Sequence, residues 1–283
     1  MINLFYGHLH NILKSKKFII CFVIGVLFNI YDIIICLVKQ FYNDTCIESL
    51  SDSYHLECPY SVFNVFPFCN DSNNLYVIFC CILPILSSII CLDLFNTNSK
   101  NCYLKSFPLK NKPIGISVFK IFLSFISGFT LCFMILIFVL ILTISCFPSI
   151  KPELLTGYFP IGYHTNPIFN IYIHHPYIFI LIYIIINSIF SGIYSIIALT
   201  VSYIFKYRVT ATILPFIFNI ALFYFSYTAK IFSFIPSFFC SPYICSGKVN
   251  IIYIACLFSI IVFFCSIIIY FNEKRNIFTH EEK

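Results

Sequence analysis

The chain has 283 residues, of which 60% are apolar and 10% charged, with a net charge of +6. Soluble domains carry roughly 25% charged residues, so a fold whose whole surface faces water is excluded. Mean hydropathy is +0.94, and the apolar residues fall in runs of about 20, the length a helix needs to cross a hydrocarbon core. The runs do not alternate in polarity, which argues against a transmembrane barrel. Basic residues sit at the ends of the runs and form no stripe, so the expected partner is a lipid bilayer and not nucleic acid.

Taken in chain order, the start is not a cleavable signal peptide. It mixes Phe5, Leu9, Ile12 and Leu13 with Lys14, Lys16 and Lys17, and no small-residue cleavage site follows the first apolar run. Leu9, Ile12 and Leu13 have helical spacing and suit a short interfacial helix. A first span is expected at about 18–38, then a polar outer loop at 39–74 with five acids against one Lys. The second span, about 75–95, holds Pro84 and ends near Asp93. A basic loop at 96–118 leads to the third span, about 119–147. The fourth span is expected at about 177–205, followed by a tight Lys206-Tyr207-Arg208 connection. The fifth, about 209–229, contains Pro215 and could instead be a re-entrant pair; the sixth is about 251–271. The expected fold is therefore all-α, a single transmembrane domain of six helices.

Lys and Arg set the orientation of such a chain. With the start placed in the cytoplasm, the inner segments hold Lys14, Lys16, Lys17, Lys100, Lys105, Lys110, Lys112, Lys120, Lys206, Arg208, Lys274, Arg275 and Lys283, which is 13 of the 17 cations. The outer segments hold Lys39, Lys151, Lys230 and Lys248, the remaining 4. Both termini are expected in the cytoplasm, with the protein in the cell membrane.

Chemistry-bearing residues are sparse. There is no phosphate loop and no protease or lipase constellation, so no catalytic, cofactor or metal site is expected and the chain is read as a non-enzyme. Asp32 is the one acid deep in a span, where charge is costly and tends to mark function. Asp93 closes the second span and could pair with a Lys of the basic loop. In that loop, Lys100, Lys105, Lys110 and Lys112 suit either anionic lipid or a cytoplasmic partner. His164, His174, His175 and Glu153 share the outer side, where polar anchoring is favoured over metal binding. Gly192, Ser195 and Ala198 give a small-residue face for close helix packing. Most of the 15 Cys lie in apolar runs as small hydrophobes. Cys46, Cys58 and Cys69 share one polar loop and Cys240 and Cys245 another; whether they pair depends on the redox state of that side.

Three stretches carry a family resemblance. They are the basic elbow Leu13-Lys14-Ser15-Lys16-Lys17-Phe18 entering the first span, and Leu83-Pro84-Ile85-Leu86 through Asp93 with the Lys-bearing loop after it. The third runs from Pro148-Ser149-Ile150-Lys151-Pro152-Glu153 through Gly157-Tyr158-Phe159-Pro160, His175-Pro176-Tyr177 and Phe190-Ser191-Gly192 to Leu214-Pro215-Phe216. In this order they resemble the membrane-spanning subunits of type-2 ATP-binding-cassette exporters, in particular small permease-like proteins of low-GC Gram-positive bacteria. The resemblance implies a permease subunit that forms its pathway as a homodimer or with a sister permease. A separate ATPase would dock on the opening helix and the loop around Lys100, Lys105, Lys110 and Lys112. The competing readings are an autonomous binding or immunity protein against a peptide antibiotic and a secondary carrier. The carrier is disfavoured because internal repeats and midplane polar residues are few.

Overall fold

The computed structural model describes residue 10 and residues 12–49, 61–69, 75–100, 113–151, 169–205, 207–228 and 251–281. All elements there are helices: α1 (Lys16–Ser49), α2 (Val62–Val65), α3 (Leu75–Lys100), α4 (Pro113–Cys146), α5 (Phe169–His174), α6 (Pro176–Ile204), α7 (Arg208–Thr228) and α8 (Ile251–Glu281). The six long ones are each long and apolar enough to cross a membrane. The chain is thus an all-α, multi-pass membrane protein, as the apolar runs predict.

The helices outrun the spans. Helix α1 continues from its apolar stretch to Ser49, inside the segment expected as loop. No Gly or Pro interrupts 39–49, so nothing stops the backbone hydrogen-bond ladder where the hydrocarbon ends. At its start Ser15 Oγ accepts from the Phe18 amide at 3.1 Å, an N-cap that satisfies one orphan donor. For the same reason α8 carries the charged tail in helical form through Glu281. Both ends of the loop expected at 96–118 are helical, α3 reaching Lys100 and α4 starting at Pro113, a residue preorganised for a first turn. Helix α7 is one continuous helix through Pro215 and not a broken pair.

Helix α6 is the centre. It packs most extensively on α4 and also on α3, α7 and α8, while α1 packs on α3 and α4. Small residues let the backbones approach. A Cβ on Gly128 would meet the Ser191 carbonyl oxygen at 2.5 Å, and one on Gly192 would meet the Phe125 ring at 2.6 Å. Ser191 Oγ donates to the Gly128 carbonyl at 2.8 Å across the α4–α6 contact. Ser195 Oγ donates to the Ser87 carbonyl at 3.4 Å, bringing in α3. Cys91 Sγ lies 3.0 Å from Ser124 Oγ and donates to the Ser195 carbonyl at 3.4 Å. Ser87, Ser124, Ser127, Ser188, Ser191 and Ser195 are all fully buried, so this three-helix seam is closed. The close-packing face expected at Gly192, Ser195 and Ala198 is present, and Gly128 is its counterpart on α4.

Candidate functional site

Helix ends sort the polar chemistry into two groups. At one end of the bundle meet the starts of α1, α4 and α7 and the ends of α3, α6 and α8. Lys17 Nζ donates to Asp93 Oδ1, joining the elbow of α1 to the end of α3. The sequence suggests a loop Lys as the partner of Asp93. Among the described residues its partner is Lys17, which the antiparallel packing of α1 on α3 sets beside it.

A second cluster lies at the same end. Lys120 Nζ, two turns into α4, donates to Glu273 Oε1 at 2.6 Å and to the Tyr203 hydroxyl at 2.9 Å. Tyr203 Oη in turn donates to Glu273 Oε1. The Lys120 and Glu273 side chains retain 13% and 8% of their exposure, so this is a largely desolvated pair that ties α4, α6 and α8 together. The ammonium also lies 5.6 Å from the centre of the Tyr203 ring. Sequence reasoning counts Lys120 toward orientation only and assigns no role to Glu273. A signal was present: Lys120 lies seven residues inside α4, and a cation so placed needs a buried partner.

Between Lys17 and Arg208 the charged end opens into a cleft of about 200 Å³ lined also by Ile89, Leu92, Asp93, Val209 and Thr212. The basic loop residues Lys105, Lys110 and Lys112 and the side chain of Lys100 lie outside the described residues.

The opposite end is aromatic. Residues 61–69, expected within a polar loop, are instead packed into the bundle, with Val62, Phe63, Phe66, Phe68 and Cys69 at 1% exposure or less. The local sequence Ser61-Val62-Phe63-Asn64-Val65-Phe66-Pro67-Phe68-Cys69 explains it. Five of these nine side chains are Val or Phe, and only burial removes that area from water. Phe66 and Phe68 meet edge to face at 4.5 Å, Phe63 meets Tyr177 at 4.9 Å, and Phe68 reaches Tyr76 and Tyr183 at 5.8 and 5.5 Å. The Val62 amide donates to the Pro148 carbonyl at 3.1 Å, fixing the plug to the end of α4. Cys69 is a free thiol, and its burial pushes its pKa well above the ordinary thiol range. Cys46, Cys58, Cys240 and Cys245 fall among side chains outside the described residues.

At the rim of that end His174 and His175 line a cleft of about 250 Å³ with Lys151, Ser149 and Tyr177. Lys151 makes this a basic lining, unsuited to a metal cation. His164 and Glu153 lie outside the described residues. In mid-bundle Asp32 is 2% exposed and shares a buried stripe of α1 with Cys21, Val26, Asn29 and Cys36. Tyr76 Oη donates to Asn187 Oδ1, and Tyr194 Oη to Asn219 Oδ1, each at 2.7 Å, cross-linking α3 to α6 and α6 to α7.

Comparison with known proteins gives no match to a family model, a curated protein or a solved structure.

Proposed function

We propose that the chain is the membrane-spanning subunit of an exporter of the ATP-binding-cassette kind. Its charged end would face the cytoplasm of a cell whose plasma membrane it crosses. The observation that supports this reading is the Lys17–Asp93 pair. It fastens the basic elbow to the end of α3, the helix that leads directly into the Lys-bearing loop. A partner that pushed on either α1 or α3 would then move both, the coupling needed if closure of a docked ATPase's nucleotide site is to rock the helices. The closed α3–α4–α6 seam, with its serines fully buried, supports a pathway formed between two copies over one inside a single copy.

That same closed seam favours a second reading, an autonomous membrane binding or immunity protein that moves nothing. One experiment separates the two. The tagged protein is extracted in mild detergent and co-purifying proteins are identified, with Lys100, Lys105, Lys110 and Lys112 changed together to Glu as the control. The permease reading expects an ATPase bearing a phosphate loop, lost with the control variant. Its absence under gentle extraction supports the autonomous reading.

A further inference from the structure

The cleft between Lys17 and Arg208 lies at a definite depth. In the sequence Lys16 and Lys17 precede the apolar run of α1, Asp93 is the first charge after that of α3, and Arg208 precedes that of α7. Three apolar runs therefore have a charged end at the cleft, as expected at the level of lipid headgroups. Its charges do not cancel. Lys17 is neutralised by Asp93, whereas Arg208 is exposed and forms no ion pair among the described residues. One positive charge remains, matching the single negative charge of a phosphodiester better than the higher charge of free phosphate at neutral pH.

Below the cleft the lining turns apolar. Helices α1 and α7 both pack on α3, but neither packs extensively on the other. Ile78, Ile82, Ile85, Ile89 and Leu92, spaced four, three, four and three apart, form a strip on the less buried side of α3. Four of the five are half-buried and Ile78 is exposed, while the residues on the opposite side of the helix are buried. Ile89 and Leu92 themselves line the cleft, so the strip runs from it toward the far side of the membrane as the floor of a groove. A small cationic mouth opening onto an apolar trough of helical length matches a lipid in both of its parts.

We propose that this cleft holds the phosphate of a monoanionic phospholipid, with an acyl chain lying along the α3 strip between α1 and α7. Arg208 supplies the uncompensated charge, Lys17 a second donor, and Val209 and Leu92 the walls at the glycerol level. The inference does not depend on any ATPase partner, and the co-purification experiment above cannot decide it.

The test uses the full chain, delipidated in detergent and titrated with phosphatidylglycerol under native mass spectrometry. Phosphatidylcholine, whose choline would meet Arg208, and millimolar inorganic phosphate are the comparison arms. The expected result is one phosphatidylglycerol per chain, bound more tightly than phosphatidylcholine and not displaced by inorganic phosphate. Arg208→Gln should weaken it about fivefold, the effect of removing one interfacial cation. Ile85→Trp, which fills the trough without touching a charge, should weaken it as well, with the thermal midpoint of the lipid-free protein unchanged for both variants. Equal binding of the two lipids, or an Arg208→Gln protein that binds as the native one does, overturns the proposal. Displacement by inorganic phosphate shows an anion site without a lipid, and indifference to Ile85→Trp removes the acyl groove; either result also overturns it.

Discussion

The two ends of this bundle are closed by different physics. At the aromatic end a segment of nine residues packs between the helices and holds them with ring contacts. At the other end two ion pairs among the described residues hold helix ends together, one largely desolvated and one at the surface. Ring packing is set by shape and area and tolerates any ionic strength. Ion pairs are set by position, and their strength depends on how much water reaches them. An end built on rings is suited to stay shut, and an end built on charges can be rearranged by a partner that offers other charges.

The largest effect should come from opening the ring plug. Phe68 touches Phe66, Tyr76 and Tyr183, so Phe68→Ala should cost about 3–5 kcal/mol, the range for an aromatic removed from a packed core. It should also release Cys69. At pH 8 an ordinary thiol is partly ionised, whereas burial raises the pKa of Cys69 and keeps it as the unreactive thiol. Maleimide labelling of the Cys69 peptide, followed by mass spectrometry, should be negligible in the native protein and rapid in Phe68→Ala. Fast labelling of the native protein would mean that the aromatic end is open.

Next in size is Glu273→Leu, which strands Lys120 in a site of low exposure. Breaking a buried pair costs about 3–5 kcal/mol, and the residual exposure of Lys120 places the expected loss near 3 kcal/mol. Lys120→Met combined with Glu273→Leu should recover most of it, because the cost belongs to the orphaned charge and not to the lost attraction. Thermal unfolding in detergent reads both values. If the double variant is no better than the single, the triad stabilises through its hydrogen bonds to Tyr203 and not by avoiding a naked charge.

A third test lies between the two ends. Gly128→Ala drives a Cβ against the Ser191 backbone, which cannot move without shifting α6. Overpacking of that kind costs about 1–3 kcal/mol. Gly25→Ala meets the Ile135 side chain, its terminal Cδ1 first, and no backbone, and should lower the thermal midpoint less. Equal losses at the two glycines would mean that α1 is held as rigidly as the α4–α6 contact.

What the sequence conveys and what it hides follow the same division. The six spans are legible because apolar run length alone decides them, and the Gly192–Ser195–Ala198 face is legible because small residues recur at helical spacing. Residues 61–69 are hidden by their setting, since five acids in the surrounding segment make the whole stretch look solvated although its own Val and Phe content calls for burial. The Lys120–Glu273 pair is hidden by distance, its partners standing 153 positions apart. No local pattern marks such a pair, and only the antiparallel return of α8 along α4 creates it. For Asp93 the need for a cation is legible, and that Lys17 meets it is a product of helix packing.

The smallest effect is expected at Lys17, and it is the most informative about the charged end. The Lys17 side chain keeps 49% of its exposure, so its pair with Asp93 is screened by water and should contribute about 0–1 kcal/mol. Lys17→Gln should lower the thermal midpoint slightly at low salt and not at all at 1 M salt, where the Debye length falls to about 3 Å. The Glu273→Leu deficit should persist at 1 M salt, because ions do not enter a desolvated pair. With that outcome the charged end has a firm latch at Lys120–Glu273 and a weak locator at Lys17–Asp93, and only the locator is open to exchange by an arriving partner. A Lys17→Gln loss as large as that of Glu273→Leu, and equally indifferent to salt, would instead make the two pairs one cooperative network. The contrast between a fixed end and an adjustable one would then fail at its weakest contact.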